Sequence, residues 1–229
     1  MEEEIIKQCV DVFDEGISSN AKDLAVDFAE ISIDCIFNEG IIKDIPLVNT
    51  FVKCFGITKN ILDKFYCKKI LVFFKALHES CLDQKKYQEF CNDYQHNKEK
   101  KNKIMETVMV YLYRQDDVNK SEILGNLLWA HIDGLINWDI FKSIAFSLDH
   151  LDLQCVTYLD ELEKEKTPYH KDYSSVDAFA AMLSSAGIGM QWGTHFCVVL
   201  TGILLHQYGI KKNYGCDMNA LLRKAGYDV

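Results

Sequence analysis

Residues 178–210, AFAAMLSSAGIGMQWGTHFCVVLTGILLHQYGI, run for 33 positions without Asp, Glu, Lys or Arg, in a chain where 26% of residues are charged. A stretch of that kind has three physical outlets: a membrane span, a buried core, or a binding surface. Spanning needs about 20 predominantly apolar residues in succession. Here Gly187, Gly189, Gly193, Gly202 and Gly209, with Gln191, His195, His206 and Gln207, cut the run into short apolar pieces. The pattern predicts helix, hairpin, helix instead. Ser175 caps a helix through Ser185, residues 187–191 are extended, Trp192 and Gly193 turn, residues 195–199 are extended, and Thr201 caps a helix to Tyr208. Phe179, Met182, Leu183, Phe196, Val198, Leu200, Leu204 and Leu205 form its expected core.

The rest of the chain reads as long helices joined by short connections, because 229 residues contain only 2 Pro and 12 Gly. A hydrophobic content of 48% is enough for a proper core. Amphipathic helices are expected over 2–16 and 21–38, a short helix near Pro46, and a longer one from Thr58 to His78 that is apolar almost all round from Ile70 to Phe74. Further helices follow over 104–114, 120–133, 138–150 and 152–165. Leu124, Leu127, His131 and Leu135 mark one inward face, and Trp138, Phe141, Ala145 and Leu148 another. The polar stretch 163–175, with the second proline, is the candidate linker. The expected organisation is a mainly α chain: a multi-helix domain over 1–165 and a small α+β region with a short β-hairpin over 166–229.

That C-terminal order, LSSAGI, a turn, then FCVVLTGILLHQY, resembles the wing and following helix of winged-helix domains, resting on Gly187 and on Thr201 with Gly202. The resemblance implies a winged-helix-like segment. The stretch DIPLVNTFVKCFGI, followed by a helix bearing Lys68 and Lys69, is similar to segments of uncharacterised bacterial helical proteins of abortive-infection type. It implies an apolar helix at 45–57 that inserts in a membrane on activation. DDVNKSE with HIDGLINWDIF resembles the paired helices of tellurite-resistance-type domains, whose metal-binding acids would match Asp116, Asp117, Glu122, Asp133 and Asp139; the motif transfers no ligand.

A formal charge of −9 disfavours nucleic acid, since phosphate binding relies on clustered Lys and Arg. The one dense basic run, residues 98–103, reads as a solvated helix start. The candidate recognition helix SSVDAFAAMLSSAG has no cation, and the wing offers only Gln191, Trp192 and Thr194. Nine cysteines form an odd, scattered set, and the acidic start MEEEIIKQ carries no signal-peptide pattern, so the thiols read as reduced in a cytoplasm. Peripheral membrane contact is the alternative location.

HIDGLINWDIF invites an EF-hand reading, but Trp129 and His131 occupy ligand positions and Ile140 stands where the closing Glu belongs. It reads as a tight interhelical turn with Asn137 as N-cap. His78, Cys81, Cys91 and His96 are a residue set compatible with tetrahedral zinc. They lack a C-x2-C knuckle, so half-buried cysteines beside exposed histidines are the plainer reading and zinc the competing one. No nucleophile elbow, P-loop, GxGxxG, HExxH or CxxC occurs. The sequence therefore nominates no catalytic, cofactor-binding or metal residue, no cofactor and no small-molecule substrate. It points to a non-enzymatic interaction or regulatory protein, defence-associated in the light of the abortive-infection resemblance, with a protein partner or self-association.

Overall fold

The computed structural model describes residues 13–17, 61–173 and 177–228. The helix at 21–38, the segment at 45–57, and the caps Thr58 and Ser175 lie outside them, as does most of the 2–16 helix. The chain divides into two compact units, Met1–Asp133 and Gly134–Val229. The boundary read from sequence at 165/166 falls inside the second unit. The protein is mainly helical, with a small antiparallel sheet near its C-terminus.

In the first unit, helices α1 (Ile61–Ser80), α2 (Gln84–His96), α3 (Lys98–Arg114) and α4 (Val118–Ile132) follow one another with almost no loop. Side chains explain the breaks. Asp83 accepts from Lys85 and Lys86 amides to start α2, Asn97 ends α2 and caps α3, and Asp117 caps α4. The basic run 98–103 is thus the first turn and a half of α3. The broadest contact in the unit joins α1 to α4, where a Cβ on Gly125 would lie 2.5 Å from the Phe73 carbonyl oxygen, so only glycine allows the helices this close. Ile70, Leu71, Phe73, Phe74 and Leu77 meet Leu124, Leu127 and Leu128 in the core. Lys69, on the same helix, is buried and donates to the Tyr113 and Gln115 carbonyls at 3.1 and 2.9 Å, supplying a cation to the C-terminal end of α3.

In the second unit, Gly134 (φ +84°) makes the turn and Asn137 caps α5 (Trp138–His150) through the Ile140 amide at 2.9 Å, as the sequence implied. A 3-10 turn, Leu153–Cys155, leads into α6 (Val156–Glu163). Then come β1 (His170–Asp172), α7 (Ala178–Ser185), β2 (Gly189–Trp192), β3 (His195–Val198), α8 (Leu200–Leu204) running into a π-helical turn Leu205–Ile210, and α9 (Met218–Lys224). The strands are antiparallel in the order β1-β3-β2.

Several expectations need correction. The 163–175 linker contains β1, whose residues HKD carry no alternation of their own and become a strand because β3 offers an edge. The α7 cap is Asp177, accepting from the Ala180 amide, and α8 begins after Val199 with no side-chain cap, so Thr201 caps nothing. The hairpin turn is Gly193-Thr194, with φ +58° at Gly193, the glycine-first pattern of a type II′ turn. Phe179 and Leu200, expected in the core, are exposed; Phe179 stacks on Tyr158 at the surface.

Candidate functional site

Tyr169 is the pivot of the second unit. It is fully buried and sits at φ +64°, a left-handed conformation that costs an L-residue about 1–2 kcal/mol. Two backbone bonds hold it there: its N–H donates to the Leu162 carbonyl (2.7 Å) and its carbonyl accepts from the Val198 amide (2.9 Å). The reversal sends the Tyr169 side chain inward and puts the next residue, His170, on the outer side of the sheet.

Inward lies a closed polar network built on the π-helical turn. This wide turn buries consecutive residues, and it carries His206 and Gln207 at full burial inside an apolar helix. Its hydrogens have one consistent direction. The Gln207 amide donates to Glu163 (2.6 Å) and to the Tyr169 oxygen (2.6 Å), while its own carbonyl accepts from Asn213 (3.0 Å), which fixes the amide orientation. The Tyr169 hydroxyl then donates to His206 Nδ1 (2.8 Å), leaving Nε2–H to donate to Asp160 (3.0 Å). Burial lowers the His206 pKa despite the Asp160 bond, so the ring is neutral, in agreement with this wiring. Burial works to raise Glu163, but bonds from Lys211 (2.6 Å) and Gln207 outweigh it and hold the carboxyl below its ordinary range.

Asp160, Glu163 and His206 are also the one trio of metal-type ligands that converges among the described residues, with ligand atoms within 4.8 Å of one another. The proton wiring argues against a metal there. Nε2, the nitrogen that would bind it, carries the hydrogen given to Asp160, and Lys211 already supplies a cation to Glu163. Chemically the network is a lock tying α6 and Tyr169 to the π-turn.

Outward, the strand register sorts side chains by face. Phe196 and Val198 point into the core, and a Cβ on Gly189 would lie 2.4 Å from the Phe196 ring. The opposite face therefore presents the rung Asp172, His195, Trp192 and the rung His170, Cys197, Met190. His195 Nδ1 meets Asp172 Oδ1 at 2.7 Å, His195 Nε2 meets His170 Nδ1 at 3.1 Å, and His170 Nε2 meets the Ala225 carbonyl at 2.7 Å. Glu165, Lys166, Thr167 and Lys171 complete an open cleft of about 380 Å³ around the pair. Beyond it, Met190, Gln191 and Trp192 are exposed on β2, an edge strand that pairs only with β3 among the described residues.

Of the residues singled out from sequence, His78, Cys81 and Cys91 gather around Tyr87, but their ligand atoms do not converge. His78 bonds the Gly16 carbonyl (2.8 Å), His96 bonds the Asn92 carbonyl (2.7 Å), and Cys91 bonds the Ile17 carbonyl (3.4 Å). With Cys81 they form no converging ligand group among the described residues, and burial pushes the thiols of Cys81 and Cys91 up to about 11. His78 is buried, correcting its reading as exposed. Of the matched acids, Asp116 pairs with Lys120, Asp117 caps α4, Asp133 pairs with Lys86 and Asp139 with Lys142. Tyr169, His170 and His195 had no sequence signal as a set. His206 and Gln207 had one: two polar neighbours in an apolar helix require buried partners.

Comparison with protein-family models, with curated proteins and with solved structures finds no match.

Proposed function

We propose that this chain is a non-enzymatic interaction protein, and that the outer sheet face and free β2 edge of its second unit receive a protein partner as an added strand. One observation carries the reading: β2 is an edge with three of its four residues exposed, including Met190 and Trp192 (58%), and it has no charge or proline to blunt it. Uncovered edges invite pairing, and natural proteins block them with Lys, Pro or bulges. An edge left open and bearing an exposed tryptophan suits β-strand addition, in which backbone bonds supply affinity and side chains such as Trp192 supply selectivity. The inner network supports the same reading, because His206, Gln207 and Tyr169 are fully buried and bonded to one another. A partner strand of apolar and polar uncharged residues, from a second copy or another protein, matches the neutral edge.

The test is edge-specific. Light scattering after size-exclusion chromatography reads self-association, and Gln191→Pro, which removes an edge amide, is compared with wild type at equal folded content. Concentration-dependent association lost in Gln191→Pro and in Trp192→Ala supports the reading. If wild type stays monomeric, and photo-crosslinking from position 191 in cells gives no adduct, the reading fails.

A further inference from the structure

We propose that His170 and His195 form a binding site for an imidazole-preferring divalent transition metal such as Zn²⁺ or Ni²⁺, on the outer face of the sheet. This goes beyond the docking reading and does not depend on it. A carbonyl oxygen only accepts, so His170 Nε2 must carry the hydrogen given to Ala225. Against the Asp172 carboxylate, His195 Nδ1 is the donor. Each ring's outer nitrogen is thereby committed as N–H, and in the neutral rings the two inner nitrogens, His170 Nδ1 and His195 Nε2, turn lone pairs toward each other across 3.1 Å. Facing lone pairs at that distance need a cation between them, either a proton carried by one ring or a metal ion that both rings bind.

The separation suits a metal. Two metal–nitrogen bonds of about 2.0–2.1 Å meeting at roughly 100° span about 3.1 Å. The supporting shell is also in place: ligating histidines characteristically give their other N–H to a carboxylate or a backbone carbonyl, which fixes tautomer and ring orientation. Here Asp172 does this for His195 and Ala225 for His170. His206 is the contrast, since its Nδ1 is occupied by a tyrosine hydroxyl and its Nε2 is protonated. The cleft leaves the remaining coordination positions to water. Cys197 shares the face but does not join the two imidazoles in one ligand group among the described residues. Neutral imidazole selects Zn, Cu and Ni over Mg or Ca.

The experiment uses the full chain stripped with a chelator, titrated with ZnCl₂, NiCl₂ and MgCl₂ by calorimetry. The expected result is one equivalent of Zn²⁺ or Ni²⁺ and no Mg²⁺, with His170→Asn and His195→Asn each weakening uptake by about tenfold or more. Asp172→Asn keeps both ligands at an exposed carboxylate and is expected to weaken binding about tenfold, so the result does not hang on the folding of a histidine variant. Trp192 faces His195 across β2 and β3, so Ni²⁺ should quench its fluorescence in wild type and lose that effect in Trp192→Phe, with uptake retained. No uptake of Zn²⁺ or Ni²⁺ by folded wild type, or wild-type uptake in either folded histidine variant, overturns the proposal.

Discussion

Replacing Tyr169 by Phe removes one oxygen and leaves the ring, its volume and the φ of +64° in place, so the change isolates the hydrogen-bond lock. That oxygen accepts from Gln207 and donates to His206, and all three residues are fully buried. Without it, His206 Nδ1 loses its donor and one Gln207 N–H loses its acceptor, and both groups are fully buried. A buried polar group left unpaired costs about 1–3 kcal/mol, so the pair predicts a loss of about 2–6 kcal/mol. In a unit of roughly 100 residues each kcal/mol lowers Tm by about 4–8 °C, so a drop on the order of 10 °C or more is expected. Urea denaturation followed by near-UV circular dichroism gives the free energy, and amide exchange over 200–210 locates it. Adding His206→Leu to Tyr169→Phe should cost less than the sum of the two changes, because the second removes a group already orphaned by the first. A loss below about 0.5 kcal/mol in Tyr169→Phe would refute the directional network.

Acidification should destabilise the protein. Burial lowers the pKa of both His78 and His206, so below the ordinary histidine value of about 6.5 the unfolded chain takes up protons that the folded one refuses. This contribution is fully present above about pH 6.5 and is lost as pH falls toward the folded values; a Tm flat from about pH 7 to 5 contradicts it. Gly125→Ala and Gly134→Ala should differ sharply in denaturant melts. The first forces a Cβ to 2.5 Å from the Phe73 carbonyl oxygen, a backbone atom that cannot swing aside, and is expected to cost about 3 kcal/mol or more, whereas the second has no atom within 4 Å and costs only its φ of +84°, about 1–2 kcal/mol. Lys69→Met leaves the Tyr113 and Gln115 carbonyls without their buried donor and should cost about 1–3 kcal/mol by the same assay. Trp192→Ala, at an exposed position, should leave stability within about 0.5 kcal/mol while abolishing association.

Local chemistry made much of this fold legible in advance. Asn137 beside a Gly turn announced the start of α5, and Gly193 between two short apolar runs announced the hairpin, because each signal is spent within a few residues. What stayed hidden is what long-range pairing creates. HKD at 170–172 has no strand pattern and is a strand only through β3, so the outer-face cluster of His170, Asp172 and His195 could not be assembled from spacing. The burial of Lys69 was equally hidden, since nothing local shows that the end of α3 places two carbonyls beside it. The charge-free run 178–210 was read correctly as helix, hairpin and helix. Its two buried polar residues, His206 and Gln207, gain their meaning only from Tyr169 and Glu163, some forty residues earlier.

The measurement that bears most directly on the docking account is site-specific photo-crosslinking in cells, with the crosslinker at Gln191 on the β2 edge and, as a control, at the exposed Glu106 on α3. The account predicts a discrete polypeptide adduct from position 191 that disappears when Trp192→Ala is added, and none of that mass from position 106. No adduct from position 191, or the same adduct from both positions, would contradict it.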